Sequence, residues 1–366
     1  MQAEAPQQKK RLFDATPVDD AVVAATFEAG WPGSKLGPRL KSSQNVTYTG
    51  HLHDGQKVIV RATATPGCLS RIEDELAFLR YIVAAGVRAC GPIEPGIRLS
   101  DDAPGAGDKG HHHRTIVVVT RYAEGGPVVF TEWLWATDAA LVEEQGRWMA
   151  QLHLASRSFA REHPQVAARI QPWDDVHDGI LRGVSIDHLP SPLSSLTQGA
   201  ESNAAAKEET TSSSLSSSFG VIHGDVNPSN FFVDKQGHID VFDFDQTQRA
   251  WFLYDVAQPI WAIRMAARGG IPGLTGENAP PLDETAFTNS LCRGYEEEWN
   301  RAKNKAKGEE GTEEEKVDRR VLEDCVMLRR EMYQRFCRRA KEEGDLPKDM
   351  AGFIEHVVHA FDTDIL

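Results

Sequence analysis

The stretch VIHGDVNPSNFFVDKQGHIDVFDFD, Val221–Asp245, decides the reading of this chain. Its apolar runs, Val221–Ile222, Phe231–Val233 and Ile239–Phe242, are broken by turn residues, which predicts short strands around a loop. Asp225 follows His223 and Gly224; Asn230 comes five residues later and Asp243 thirteen beyond that. Two strands joined through Asp234–Gly237 bring Asn230 back beside Asp243. An ordinary hairpin also carries Asp and Asn in its turns. Here, however, the acids are flanked by Phe231, Phe232, Val241 and Phe242, which predicts a loop anchored in a core. Magnesium takes hard oxygen ligands, one or two carboxylates from the protein and the rest from phosphates and water. Asn230 and Asp243, with Asp245 beside them, supply such oxygens. Phosphoryl transfer further needs a carboxylate that orients the acceptor hydroxyl and takes its proton, and Asp225 is available for that.

The flanking sequence divides in two. On the N-terminal side a helical pattern spans Asp19–Ala29 and stops at Gly30 and Pro32. Lys41–Thr49 and Gln56–Ala62 read as strands, with His53–Gly55 as the turn between them. A helix is predicted over Leu69–Ala85, then strands over Ile93–Leu99 and Thr115–Arg121. The polar loop between those strands carries His111–His113, a surface hairpin tip or a metal-binding run. Beyond Gly125–Pro127 the pattern turns helical: Ala139–Ser158, then most of the chain from Tyr254 onward, with amphipathic helices over Val321–Lys341 and Met350–Phe361. Asn304–Lys316 reads as a solvated charged spacer. Residues 1–18 read as a disordered tail. Leu189–Ser218, rich in Ser and Thr and almost free of aromatics, cannot bury enough surface to offset its ordering entropy and reads as a disordered insertion. The expected fold is α+β and bilobal, a small β-rich lobe over 19–124 and a larger helical lobe over 125–366.

Composition narrows the classes. A net charge of −14 without a basic cluster argues against nucleic acid as a partner. No run of apolar residues is long enough to span a membrane, and the polar N-terminus has no secretory core. Five cysteines, an odd count with no CxxC pair, predict reduced thiols and a cytoplasmic protein.

His-Gly-Asp at 223–225, Asn230, Asp243-Phe244-Asp245 and Tyr254-Asp255-Val256-Ala257 together resemble the aminoglycoside phosphotransferase-like kinase family, which includes choline kinases and homoserine-kinase-like enzymes. The resemblance covers roughly residues 20–340, with its specific motifs in 221–257. It implies a protein-kinase-like fold, ATP and magnesium as cofactors, Asp225 as catalytic base, and Asn230 and Asp243 as magnesium ligands. It implies that His223 supports the loop and that Asp255 is structural, a role compatible with capping the following helix. It also implies a nucleotide-binding lobe. There the turn Ser42-Ser43-Gln44-Asn45 would lie over the phosphates. Arg61 stands where the family's third strand usually has Lys, with Lys57 as the same-face alternative. Glu75 would pair with that cation, and Thr120-Arg121-Tyr122 would present a hinge backbone to adenine. Gly294-Tyr295 and Leu328–Glu331 resemble helices lining the acceptor site; Trp251, Trp261 and Trp299 are acceptor walls or core. The implied activity is transfer of the ATP γ-phosphoryl to a hydroxyl of a small molecule: an amino alcohol, hydroxy amino acid, sugar or aminoglycoside. A protein Ser/Thr kinase is the second reading, weakened by the short run from Asp243 to Asp255. A nucleotide-binding pseudokinase or scaffold is the third.

Overall fold

Alternation along Lys57–Thr63 places Val58, Val60 and Ala62 on one face of a strand, fully buried, and Ile59 and Arg61 on the other. That strand is the middle of the N-terminal sheet. The computed structural model describes residues 18–42, 45–64, 68–100, 114–128, 133–190, 215, 218–271, 281–307, 314–344, 348–363 and 365–366. The sheet contains β1 (Lys35–Ser42), β2 (Val46–His51), β3 (Lys57–Thr63), β4 (Pro92–Leu99) and β5 (Ile116–Arg121), antiparallel in the order β1-β2-β3-β5-β4. Helix α1 (Asp20–Gly30) starts at Asp19, whose side chain caps Ala21 N and Val22 N. It lays Val23, Phe27 and the following Trp31 against Val58, Val60 and Ala62. Helix α2 (Leu69–Ala84) covers the opposite face, packing Ile72 and Leu76 on Ile116 and Val118. Arg61 therefore points at α2.

One expectation for this lobe is corrected. Lys41–Thr49 is not a single strand: β1 and β2 pair antiparallel with Ser42 opposite Val46. The polar run Ser42–Asn45 interrupts the alternation, and the chain turns there, as the hairpin reading required. β1 begins earlier than the sequence suggested. It holds Gly37 and Pro38, which mask a strand, and as an edge strand it tolerates a residue with no N–H to donate.

The C-terminal lobe is built on α3 (Ala139–Glu162) and α4 (Pro164–Arg169), then α5 (Phe252–Ala267), α6 (Glu284–Lys307), α7 (Arg319–Glu343) and α8 (Lys348–Asp362). Helices α3 and α6 cross at Gly146 and Gly294, where a Cβ on either would run into the other helix's backbone, at Leu291 O and Glu143 O. This close crossing brings His153 and Tyr295 together. Three short ladders complete the lobe: β6 (Gly126–Pro127) with β8 (Phe231–Val233), β8 with β9 (Ile239–Val241), and β7 (Phe219–Ile222) with β10 (Gln248–Trp251). The lobes join where Cys90 N donates to Val241 O at 2.9 Å and Trp148 Nε1 donates to Arg88 O at 2.7 Å.

The supposed spacer at Asn304–Lys316 is also corrected. Helix α6 continues to Lys307, and Glu315 is half-buried, bonded by Lys303 Nζ at 2.8 Å, Trp299 Nε1 at 3.3 Å and Leu215 N at 2.8 Å. The expected insertion has core residues at both edges, Leu189 and Leu215. Its body at 191–214, the tail at 1–17 and His111–His113 lie outside the described residues. Trp251, Trp261 and Trp299 are core. All five cysteines are buried and none forms a disulfide. No described helix is long and apolar enough to cross a membrane.

Candidate active site

Strand β7 ends at Ile222, and Gly224 turns the chain with φ +87°, a conformation that favours glycine. A Cβ there would meet Gln246 O. Asp255 fixes this turn from below, accepting from His223 N at 3.1 Å and Gly224 N at 2.9 Å. It lies inside the first turn of α5, whose N-cap is Trp251, so Asp255 is a brace for the loop and not the helix cap. His153 Nε2 stands 3.2 Å from Asp255 Oδ2, and His153 Nδ1 stands 2.9 Å from the Tyr295 hydroxyl. Burial pushes the Asp255 carboxyl up, but the hydrogen bond with His153 outweighs it and holds it below the usual range. His223 accepts from Asp225 N at Nδ1, 3.2 Å, which leaves Nε2 to donate to Phe242 O at 3.1 Å. It thus ties the Asp225 turn to the Asp243 turn, the supporting role expected of it.

Asp225 is held on both oxygens. Asn227 Nδ2 donates to Oδ1 at 2.9 Å, Gln258 Nε2 to Oδ1 at 3.3 Å, and Asn230 Nδ2 to Oδ2 at 2.9 Å. Burial raises its pKa against the Asn227 bond, and Asp243 raises it further, which makes it a better proton acceptor than an exposed Asp. Asn230 also donates to Asp225 O at 2.9 Å, and its own carbonyl accepts from Phe242 N at 2.9 Å. Its amide oxygen is left with one long contact, to Ser229 Oγ at 3.4 Å.

Asp243 has φ +67° and ψ 62°, left-handed for a residue with a Cβ, a strain typical of functional loops. Asp245 is pushed up to about 8, first by burial and then by Asp243. Asp245, so raised, stands with Asp243 in a set of hard oxygen donors that fits a divalent cation. Among the described residues no group of three or more His, Cys, Asp or Glu could hold a metal alone. The fit is that of an ion sharing two carboxylates and an amide with a polyphosphate.

On the facing lobe, Arg61 Nη2 reaches Glu75 Oε1 at 2.7 Å and Oε2 at 2.9 Å. Its Nε and Nη1 bond no described residue. Burial opposes its charge, but Glu75, Asp245 and Asp243 outweigh burial and raise its pKa, so the cation belongs to the acidic cluster. Lys57 lies elsewhere, 3.7 Å from the Tyr122 ring centroid. Asn45 Nδ2 donates to Asp245 Oδ2 at 3.2 Å, so the end of the β1–β2 turn touches the same cluster. Ser43 and Gln44 lie outside the described residues, and of Ser42 the structure describes only its place as the last residue of β1.

The hinge differs from expectation at Arg121. Its N–H is taken by Gly91 O at 2.9 Å, and its guanidinium by Asp240, at 2.8 and 2.7 Å. Asp240 also takes Glu124 N at 2.7 Å. Thr120 stays within β5, opposite Ile59. Among the described residues the N–H groups of Tyr122 and Ala123 have no backbone partner. Sequence reasoning missed Asn227, Gln258, Asp240 and the His153–Tyr295 relay; only Asn227 had a local signal, its place two residues after Asp225.

The family model described as "Phosphotransferase enzyme family" (APH) matches residues 42–303. A search of curated protein sequences gave no match. Among solved structures, amicoumacin kinase hAmiN in complex with AMP-PNP, Ca2+ and Ami is similar with a TM-score of 0.61 at 15% identity, covering 95% of this chain and 94% of that one. A microcompartment-associated aminopropanol kinase is similar with a TM-score of 0.54 at 16% identity, covering 94% and 98%. At these identities the likeness is one of fold, the bilobal α+β kinase-like architecture that the resemblance implied.

Proposed function

This chain belongs to the phosphotransferase enzyme family, and we propose that it transfers the γ-phosphoryl of ATP to a hydroxyl of a small acceptor, with Asp225 as the base. The observation that carries this reading is the convergence on Asp225: a half-buried carboxylate bonded by Asn227, Asn230 and Gln258, with Asp243 in its field. Asp225 would accept the acceptor's O–H and orient its oxygen toward phosphorus. The acceptor oxygen bonds to the γ-phosphorus as the bond to the bridging oxygen breaks. The leaving electron pair stays on ADP, and the hydroxyl proton goes to Asp225. Arg61 would offer Nε and Nη1 to phosphate oxygens while Glu75 fixes its orientation. Tyr122 and Ala123 would present their N–H groups to the base. Magnesium, held by Asp243, Asp245 and the amide oxygen of Asn230, would neutralise charge on the phosphates. The AMP-PNP complex of a kinase with this fold supports ATP as donor. A protein substrate is disfavoured, because the chain passes from Asp245 through β10 directly into α5.

The test is Asp225→Asn. Acceptor phosphorylation should fall about a thousandfold, while Mg-ATP affinity and Tm change little. Wild-type turnover in that variant would remove Asp225 from the chemistry and the reading with it.

A further inference from the structure

Helix α2 belongs to two cores. Ile72 and Leu76 pack on Ile116 and Val118 of the N-terminal sheet, whereas Phe78, Leu79 and Ile82 lie in the core of the C-terminal lobe. The rings of Phe78 and Tyr81 stand 5.2 and 5.3 Å from that of Phe159 on α3. Nearer the start of α2, two consecutive acids divide the same way, since neighbouring side chains on a helix point about 100° apart. Glu75 takes Arg61 of β3, and Asp74 takes Arg169, the last residue of α4. Arg169 Nη2 reaches Asp74 Oδ1 at 2.5 Å and Nε reaches Oδ2 at 3.1 Å, a two-pronged pair across 95 residues and between the lobes.

Arg169 stands on a fixed mount. The residues after it are tied to β10: Arg249 Nε donates to Ile170 O at 2.7 Å, Arg249 N to Gln171 O at 2.9 Å, and Trp173 N to Arg249 O at 2.9 Å. β10 is the strand that follows the turn carrying Asp243 and Asp245, and Gln171 Nε2 donates to Thr247 O in that connection at 3.4 Å. A small cavity between these parts is lined by Asp74, Glu75, Gln171, Phe244, Asp245 and Thr247. The acid that Arg169 holds, the acid that holds Arg61 and a carboxylate proposed for magnesium thus border one space. Side-chain exposure is 57% for Arg169 and 7% for Asp74, so a substitution at Arg169 meets solvent while one at Asp74 meets the core. An ion pair with one partner in water adds little to stability, and a two-pronged one mainly fixes direction.

We propose that Arg169 is a positioning residue for phosphoryl transfer. By holding Asp74 it sets the rotation of α2, which keeps Glu75 on Arg61 and leaves Nε and Nη1 of Arg61 presented to the phosphates. Arg169 touches neither nucleotide nor acceptor; it acts through Asp74, Glu75 and Arg61 in turn. Loss of the pair would let the first turns of α2 rotate about the aromatic anchor at Phe78 and Tyr81, and the orientation of Arg61 would loosen with them. This inference rests on the phosphotransfer reading and names a surface residue that tunes the donor side of that site.

The experiment titrates the full chain with Mg-ATP by calorimetry. Arg169→Met should weaken Mg-ATP binding about tenfold relative to the wild type. Arg61→Met and the double variant Arg61→Met/Arg169→Met should bind Mg-ATP within about twofold of each other, because the route to the phosphates runs through Arg61. A merely structural pair would lower the urea midpoint and leave Mg-ATP affinity alone, or would weaken binding by the same factor in both backgrounds; each of these results overturns the inference while leaving phosphotransfer standing. Where Arg169→Met fails to fold, Arg169→Lys takes its place. It keeps the charge and loses the planar fork, so about a threefold weakening is expected, and wild-type affinity there overturns the inference equally. Absence of both Mg-ATP binding and ADP release in the wild-type chain, with hydroxylated amines, acids and sugars alike, overturns the phosphotransfer reading itself.

Discussion

Arg61 and Arg121 stand on adjacent strands of one sheet and each grips a carboxylate at nearly the same distances, 2.7 and 2.9 Å for Glu75, 2.7 and 2.8 Å for Asp240. The two pairs differ in what is left over. Arg121 spends both terminal nitrogens on Asp240 and adds Ala89 O and Tyr122 O. Asp240, 1% exposed, also takes Glu124 N. That pair is closed, and it ties the β5 end of the upper lobe to β9 of the lower one. Arg61 spends one nitrogen on both Glu75 oxygens and faces two further acids, Asp243 and Asp245. That pair is open. A closed pair holds parts of the protein together; an open one has capacity for a ligand.

Breaking the closed pair should cost the most. Arg121→Met strands a buried carboxylate, and unfolding free energy in urea should fall by about 3 kcal/mol or more. A loss below about 1 kcal/mol would mean that the hinge pair is ornamental. Opening the other pair should appear in catalysis. Arg61→Met should lower kcat/KM for ATP about a hundredfold, equivalent to about 2.7 kcal/mol, with a smaller loss of stability than Arg121→Met. If Arg61→Met proved the more destabilising and the less damaging to activity, the distinction between the pairs would collapse. Arg61→Lys sharpens the comparison. Lysine keeps a point charge near Glu75 and the phosphates but cannot serve both as a fork, so about tenfold of that loss should remain. Full activity in the lysine variant would assign the work to charge alone.

The sequence disclosed what lies close along the chain. Asp225, Asn230 and Asp243 fall in one segment, and the apolar strands between them fix their approach through a ladder of three residue pairs. Arg61 and Glu75 were legible because only five residues of sequence separate their strand from their helix. The rest depends on how helices pack. Gln258 meets Asp225 across 33 residues, and His153 meets Asp255 across 102 and Tyr295 across 142. The meeting of His153 with Tyr295 follows from the α3–α6 crossing at Gly146 and Gly294, and glycines inside a helical pattern do not name their partners. The edge strand Lys35–Ser42 was hidden for a local reason, since Gly37 and Pro38 suppress the strand signal while an edge position permits them.

Acid offers the mildest perturbation. Arginine stays charged throughout the accessible range. The groups that respond near neutrality include Asp245, pushed up to about 8 and acting in the opposite sense as pH falls, and two histidines whose charged forms their surroundings disfavour. Burial lowers the pKa of His153 from its ordinary 6.5, against the pull of Asp255. Burial, Arg329 and Arg339 push His177 down to about 4. Each binds a proton less readily in the folded chain than in the unfolded one, so its contribution to stability is whole above pH 6.5 and drains away as pH falls toward the folded value. Asp255, also lowered, is lost only below its ordinary 3.8 and does not enter this window. Between about pH 7.5 and about pH 5.5 His177 should cost about 1 kcal/mol. His177→Gln should remove its share, so that the unfolding free energy of the variant falls less on acidification than that of the wild type. An unchanged slope in His177→Gln would show that this histidine is not held neutral by burial and its two arginine neighbours.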